Sequence, residues 1–213
     1  VAPDPTAEAD ELLHLLGETT GRRVLELGLA DGARAVALAG RGATVIGVDV
    51  DEAAVQAAAA AAAAAEVRIE LHRVADLADL AFLRADSVDA ALSVDGLAGH
   101  PDLARVCRQV HRVLRAGGCF LLTLPHPMAC CVSPEPHPGG RLAVTGSYFD
   151  TAPQHRPGPG GTPVVVRPRT FAEAFSTLRS AGFRPDHLLE LPAPAGGPPF
   201  PEVVVWRARK EGA

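Results

Sequence analysis

Lysine is almost missing from this sequence: Lys210 stands alone against nineteen arginines in 213 residues. That bias, with the excess of alanine, points to a GC-rich genome rather than to arginine-specific function. The net charge is −5, and no basic patch clusters along the chain. A large nucleic-acid surface, which needs such a patch to neutralise phosphates, is therefore not expected. No apolar run reaches the length of a transmembrane helix, and no basic segment followed by an apolar one opens the sequence, so no membrane association is expected. The four cysteines, Cys107, Cys119, Cys130 and Cys131, form no CxxC pair and no disulfide spacing. Reduced thiols in a cytoplasmic protein are the expectation.

What is present suits one globular domain. Hydrophobic residues make up 47% and charged residues 21%, and the length allows a full core. Short buried strands are expected at "RRVLELG", "TVIGVDV", "VRIELHRV", "SVDAALSV" and "CFLLTLP", because each apolar run is bounded by turn signals. Helices are expected between them. "AEADELLHLLG" has helical leucine spacing, with Gly17 as its stop. "DGARAVALAGRGA" follows the first strand, and "DEAAVQAAAAAAAAAEV" is a scaffold helix, since alanine is the best helix former. "DLARVCRQVHRVLRAGG" is amphipathic and expected to stop at its glycine pair. This alternation implies βαβ units and a parallel sheet covered on both faces.

The texture changes at Pro125, from which sixteen of the nineteen prolines follow. "PEPHPGG" and "RPGPGGTP" read as loops, and "RLAVTGSYFD" between them as a strand or an ordered lid. "TFAEAFSTLRSAGF" is a helix capped by Thr170, and "HLLEL" and "EVVVWRARK" are late strands. We read residues 1–213 as a single domain with a proline- and glycine-rich lid or substrate-loop excursion at about 126–168.

"VLELGLADG", residues 24–32, places a glycine turn at the carboxyl end of the first strand, where open α/β sheets bind ligands. The helix that follows favours a negative group at its N-terminus. Three readings compete for this turn. A nicotinamide fingerprint needs glycine at 28, 30 and 33, and only Gly28 matches, with Ala30 and Ala33 at the others. A plain strand–turn–helix is the second. The third is E-x-G-x-(G/A)-x-G followed by an acid at the next strand end, and it is matched by Glu26, Gly28, Ala30, Gly32 and Asp49.

That third pattern resembles the class I S-adenosylmethionine-dependent methyltransferases of the small-molecule type. "VADLADL", "DSVDAALSVDGLAGHPDLARVCRQVHRVLRAGGCFLLTLP" and "RTFAEAFSTLRSAGF" resemble later segments of the same family, in order and in register. The resemblance implies an α/β fold, a Rossmann-like three-layer sandwich with a mostly parallel seven-stranded sheet and an antiparallel last strand. It implies S-adenosylmethionine as cofactor, held by Glu26, Gly28, Ala30, Gly32, Asp49, Val50, Asp76, Leu77 and Ser93. Asp49 would accept from the ribose hydroxyls, and Asp76 would face the adenine amino group.

The acceptor would lie above the ends of the fourth and fifth strands, near Asp95, His100 and His126. His126 is the candidate general base, the alternative being a turn histidine between two prolines. Tyr148 and Arg169, with His126, are candidate acceptor-binding residues. Tyr148 reads equally as a lid residue packed on the core. "HPMACCVSPEPH" gathers His126, Cys130, Cys131 and His137 without any recognised ligand spacing, so no metal is expected. The place after the fourth strand reads "SVDG", not the (Asp/Asn/Ser)-Pro-Pro-aromatic stretch of the family's enzymes that modify nucleic-acid bases. A small-molecule acceptor, methylated on oxygen or nitrogen, is therefore expected of a monomer or homodimer. Two alternatives stay open: a non-catalytic protein that binds the same cofactor or its product, and a nicotinamide-dependent oxidoreductase.

Overall fold

The computed structural model describes residues 12–133, 142–157, 163–192 and 198–212. Of the first expected helix, α1, residues 12–16 are described as helical. Leu12, Leu13 and Leu16 are buried, and Gly17 follows with a φ of 78°. The remaining elements are β1 (Arg23–Leu27), α2 (Ala33–Gly40), β2 (Thr44–Asp49), α3 (Glu52–Ala64), β3 (Ile69–Arg73), β4 (Val88–Ser93), α4 (Leu103–Val113) and β5 (Leu114–Pro125). They continue with α5 (Pro127–Cys131), β6 (Gln154–Pro157), β7 (Pro163–Val166), α6 (Phe171–Ser180), β8 (Phe183–Pro192) and β9 (Pro201–Lys210).

Seven strands form one sheet in the order β3-β2-β1-β4-β5-β9-β8. The pairings from β3 through β5 are parallel, whereas β9 runs antiparallel to both β5 and β8. Each face carries its own core. Leu25, Leu27, Ile46 and Phe120 meet Val106, Val110 and Leu178 from α4 and α6 on one side. Val24, Val45, Leu92 and Leu121 meet Leu16, Ala35, Leu38 and Ala58 from α1, α2 and α3 on the other. The result is the three-layer sandwich. The order reverses at β1 and β4, and that switch point opens the crevice above the strand ends where ligands bind.

Local chemistry explains the helix starts. Asp51 accepts from the Ala53 amide at 2.9 Å, Asp102 from Arg105 at 2.8 Å and Thr170 from Glu173 at 3.1 Å, each meeting an orphan N–H of the first turn. The alanine tract of α3 has a packing reason as well as a propensity one. Ala58 is fully buried against the β1–α2 turn, and a Cβ placed on Gly32 would come within 2.5 Å of its Cα. A larger side chain at 58 would push α3 away from that turn.

Two segments differ from their expectation, and a third loses one of its two readings. α4 ends at Val113, ahead of the Gly117–Gly118 pair, because Leu114 already pairs with Val88 as the start of β5. "RPGPGGTP" is not wholly loop: its ends belong to β6 and β7, which pair antiparallel, and residues 158–162 lie outside the described residues. "RLAVTGSYFD" contributes no strand among its described residues, only an isolated bridge from Val144 to Val132. "PEPHPGG" lies outside the described residues. No helix among the described residues is long and apolar enough to cross a membrane.

Candidate cofactor cleft and active site

The turn between β1 and α2 is built from backbone that a side chain would obstruct. Gly28 sits at φ 83°, and a Cβ there would lie 2.5 Å from the Cα of Gly96 in the loop after β4. The two loops that border the crevice therefore touch through glycines. Ala30 also adopts a left-handed conformation, with φ 50°, and its side chain is exposed. Asp49, at the end of β2, ties this turn down. One carboxylate oxygen accepts from the Leu29 amide at 2.6 Å and the other from the Asp51 amide at 2.9 Å. Two of its roughly four lone-pair sites are used in this way, and the rest can accept from hydroxyl groups.

Glu26 lies beneath the turn, completely buried, with Oε1 accepting from Arg34 Nε at 3.0 Å. Its other oxygen has no partner among the described residues. Burial dominates over the Arg34 pairing and pushes the carboxyl up to about 7. Ser93 is equally buried, and its hydroxyl donates to the Leu27 carbonyl at 2.7 Å, fastening β4 to β1.

Beyond the turn, a cavity of about 660 Å³ opens over the ends of β2 and β4. Val50, Asp76, Leu77, Asp95, Gly96 and His100 line it on the protein side, and Val164–Val166 of β7 close it from above. The hairpin can come this close because Gly99 leaves room for the Val165 carbonyl, and the Arg167 amide donates to the Ala98 carbonyl at 2.9 Å. Val50 is 44% exposed, an apolar surface held at the cavity wall.

Asp76 is held in place from three sides. Ala78 N–H donates to Oδ1 at 2.7 Å, His100 Nε2 to the same oxygen at 3.0 Å, and Arg105 to Oδ2 at 3.2 Å. His100 Nδ1 accepts from the Asp102 amide at 3.1 Å, so the ring proton sits on Nε2 and faces Asp76. The Ala78 amide foremost, then His100 and Arg105, hold the Asp76 carboxyl below the ordinary carboxylate range.

Asp95 occupies a left-handed conformation with φ 64°. Thr123 of β5 keeps it there, accepting from its amide at 2.9 Å and donating to its carboxylate at 3.3 Å. Such strain in a non-glycine residue costs about 1–3 kcal/mol and gathers at functional sites.

A second cavity of about 430 Å³ adjoins the first, sharing Pro125, Val164 and Val166 with it. Arg156, Glu202 and Cys130 are among its walls. Among the described residues, His126, Tyr148 and Arg169 line neither of these two cavities. His126 is buried at the start of α5: Nδ1 accepts from the Met128 amide at 3.1 Å, and Nε2 donates to Glu190 at 2.8 Å. Both ring nitrogens are thus engaged. The Tyr148 hydroxyl accepts from the Phe171 amide at 3.3 Å. Arg169 is buried and donates to the carbonyls of Ala98, Arg167 and His100, bracing the loop beneath the first cavity. Burial draws its guanidinium below its usual value.

Of the cysteine–histidine cluster, His137 lies outside the described residues, and the Cys131 thiol is directed at the Pro127 carbonyl. No group of three metal-ligating side chains stands together among the described residues.

This donor set suits an adenosine-bearing cofactor. Asp49 keeps acceptor capacity at a strand end, Val50 presents an apolar wall, and Asp76 is a fixed carboxylate on the cavity, while the cavity volume lies in the range of small-molecule sites. The comparisons agree. Residues 24–118 match a family described as a methyltransferase domain. A ubiquinone biosynthesis O-methyltransferase of Alkalilimnicola ehrlichii is 32% identical over 109 residues, which are 51% of this chain and 44% of that protein. The chain thus spans less than half the length of that curated relative. An S-adenosylmethionine-dependent methyltransferase from Mesorhizobium loti superimposes with a TM-score of 0.76 at 27% identity, covering 94% of this chain and 96% of that one. One from Listeria monocytogenes superimposes with a TM-score of 0.80 at 22% identity, covering 98% and 100%. In its turn, its sheet order and these comparisons, the chain is similar to the class I S-adenosylmethionine-dependent methyltransferases.

Proposed function

We propose that this protein transfers a methyl group from S-adenosylmethionine to an oxygen or nitrogen of a small-molecule acceptor. The observation that carries this reading is the meeting of two cavities at Pro125 and β7, one walled by Val50, Asp76 and Leu77 and the other by Arg156, Glu202 and Cys130. When bound, the cofactor supplies a methyl group made electrophilic by its sulfonium, so the protein's task is chiefly positioning.

Asp49 accepts from the ribose hydroxyls, while Asp76 and the Leu77 backbone read the adenine edge. Val50 packs against the adenine face, and Gly28, Ala30 and Gly32 let the cofactor approach the backbone. Glu26 and Ser93 act from beneath, holding the turn and the strand ends in register. The β6–β7 hairpin excludes water from above. Where the acceptor carries a proton, Asp95 takes it. That carboxylate lines the cleft, and Thr123 holds it two residues from the shared Pro125. His126 serves as the cap of α5, and Arg169 as the brace of the 98–100 loop.

Calorimetric titration tests the reading directly. Micromolar binding of S-adenosylmethionine and S-adenosylhomocysteine is expected, with no binding of NAD and with the affinity reduced at least tenfold in Asp49→Ala. Failure of both sulfur ligands to bind would overturn it. Binding without methyl release, across a broad acceptor screen, would instead favour a non-catalytic protein.

A further inference from the structure

The second chamber has a feature that its apolar walls do not explain. Pro125, Val132, Val166 and Phe200 contribute hydrocarbon, and into this surface the half-buried Arg156 brings a guanidinium. Its Nε and Nη2 both donate to one neutral acceptor, Gln154 Oε1, at 3.2 and 3.0 Å. Gln154 in turn donates to the Cys130 carbonyl at 3.3 Å, which fixes the fork relative to α5. No carboxylate pairs with Arg156 among the described residues, whereas Arg34 and Arg105 are each paired with one. The guanidinium is thus oriented and half-buried, with no anionic partner among the described residues, which suits it to pair with an anion that enters the chamber. Glu202 lines the same chamber and is solvent-exposed.

Resting on the methyltransferase reading, we propose that this chamber is the acceptor site and that it selects an apolar, preferably planar, molecule bearing an acidic group that pairs with Arg156. The planar fork can bind a carboxylate or similar oxyanion through two parallel N–H donors. The apolar walls take the body of the molecule, and the boundary shared at Pro125, Val164 and Val166 directs its far end toward the cofactor cleft. The anion is thus a handle distant from the methylated atom, and the charge at Arg156 sets which acceptors bind.

The full chain saturated with S-adenosylhomocysteine is titrated with 2-naphthoate and with its neutral analogue 2-naphthalenemethanol. Binding of the carboxylate at least tenfold tighter is expected. Arg156→Met should abolish that preference while leaving S-adenosylhomocysteine affinity within twofold, and Arg156→Lys should restore part of it. Ala129→Phe, which fills the chamber from α5, should weaken both probes and spare the cofactor product. Equal binding of the two probes, or a preference that survives Arg156→Met, would overturn the proposal. Loss of S-adenosylhomocysteine binding by the unaltered chain would instead overturn the methyltransferase reading, so the two failures are distinguishable.

Discussion

Replacing Ala30 by glycine is expected to leave the protein as stable or more stable, whereas the same replacement at Ala37 should weaken it. Ala30 stands at φ 50° with its side chain exposed, so the change removes a steric penalty without opening a cavity. A left-handed conformation costs an L-residue about 1–2 kcal/mol. Glycine returns about 0.5–1 kcal/mol of that through the greater freedom of its unfolded chain. The net gain is therefore between zero and about 1.5 kcal/mol. Ala37 is an exposed interior position of α2, seven residues away in an ordinary helical conformation. Glycine there should cost about 1 kcal/mol. Both variants carry the same unfolded-state term, so their difference reports the backbone strain at residue 30 alone. With a urea m-value of about 2–3 kcal/mol/M, the two midpoints should separate by roughly 0.5–1 M. Far-UV circular dichroism in urea would measure this. Equal losses at the two positions would refute the reasoning, since residue 30 would then carry no left-handed strain.

Three further outcomes follow from the same geometry. Glu26 has its folded-state carboxyl raised from 4.5 to about 7, so its contribution is greatest below pH 4.5 and is lost as pH rises through 7. The full shift corresponds to about 3 kcal/mol, and Glu26→Gln should remove that slope, its urea midpoint gaining on the parent's between pH 4.5 and about 7 and keeping a constant offset above that. Gly28→Ala should destabilise by 2 kcal/mol or more on the order-of-magnitude scale of strain plus overpacking, because φ is 83° and the new Cβ would meet Gly96 at 2.5 Å. Calorimetry should show its S-adenosylhomocysteine binding lost as well. His126→Asn preserves an acceptor for the Met128 amide, so the pH profile of turnover should be unchanged. A shifted limb in that profile would return His126 to the chemistry.

The strands and helices around the candidate cofactor turn were legible in the sequence because their signals are local. A buried strand shows as an apolar run, Thr170 sits where a helix must satisfy its first amides, and the turn with its acid at 49 arises within a single βαβ unit. Even there, only the packing revealed why Ala58 is small and that Ser93 and Glu26 face inward beneath the turn. The acceptor side is another matter. His126 meets a partner 64 residues on, and Arg169 reaches back to a loop 69 to 71 residues before it. No spacing rule anticipates such contacts. Arg156 opens a stretch whose prolines and glycines signal a loop, yet the chain folds it back as a strand pair and sets Arg156 on the wall of a cavity that Cys130 and Glu202 also line. Periodicity and capping act between residues a few positions apart, and they determined the layers, the sheet and the turn. Which charged groups share a chamber depends on how distant segments pack, and only the tertiary structure decided that.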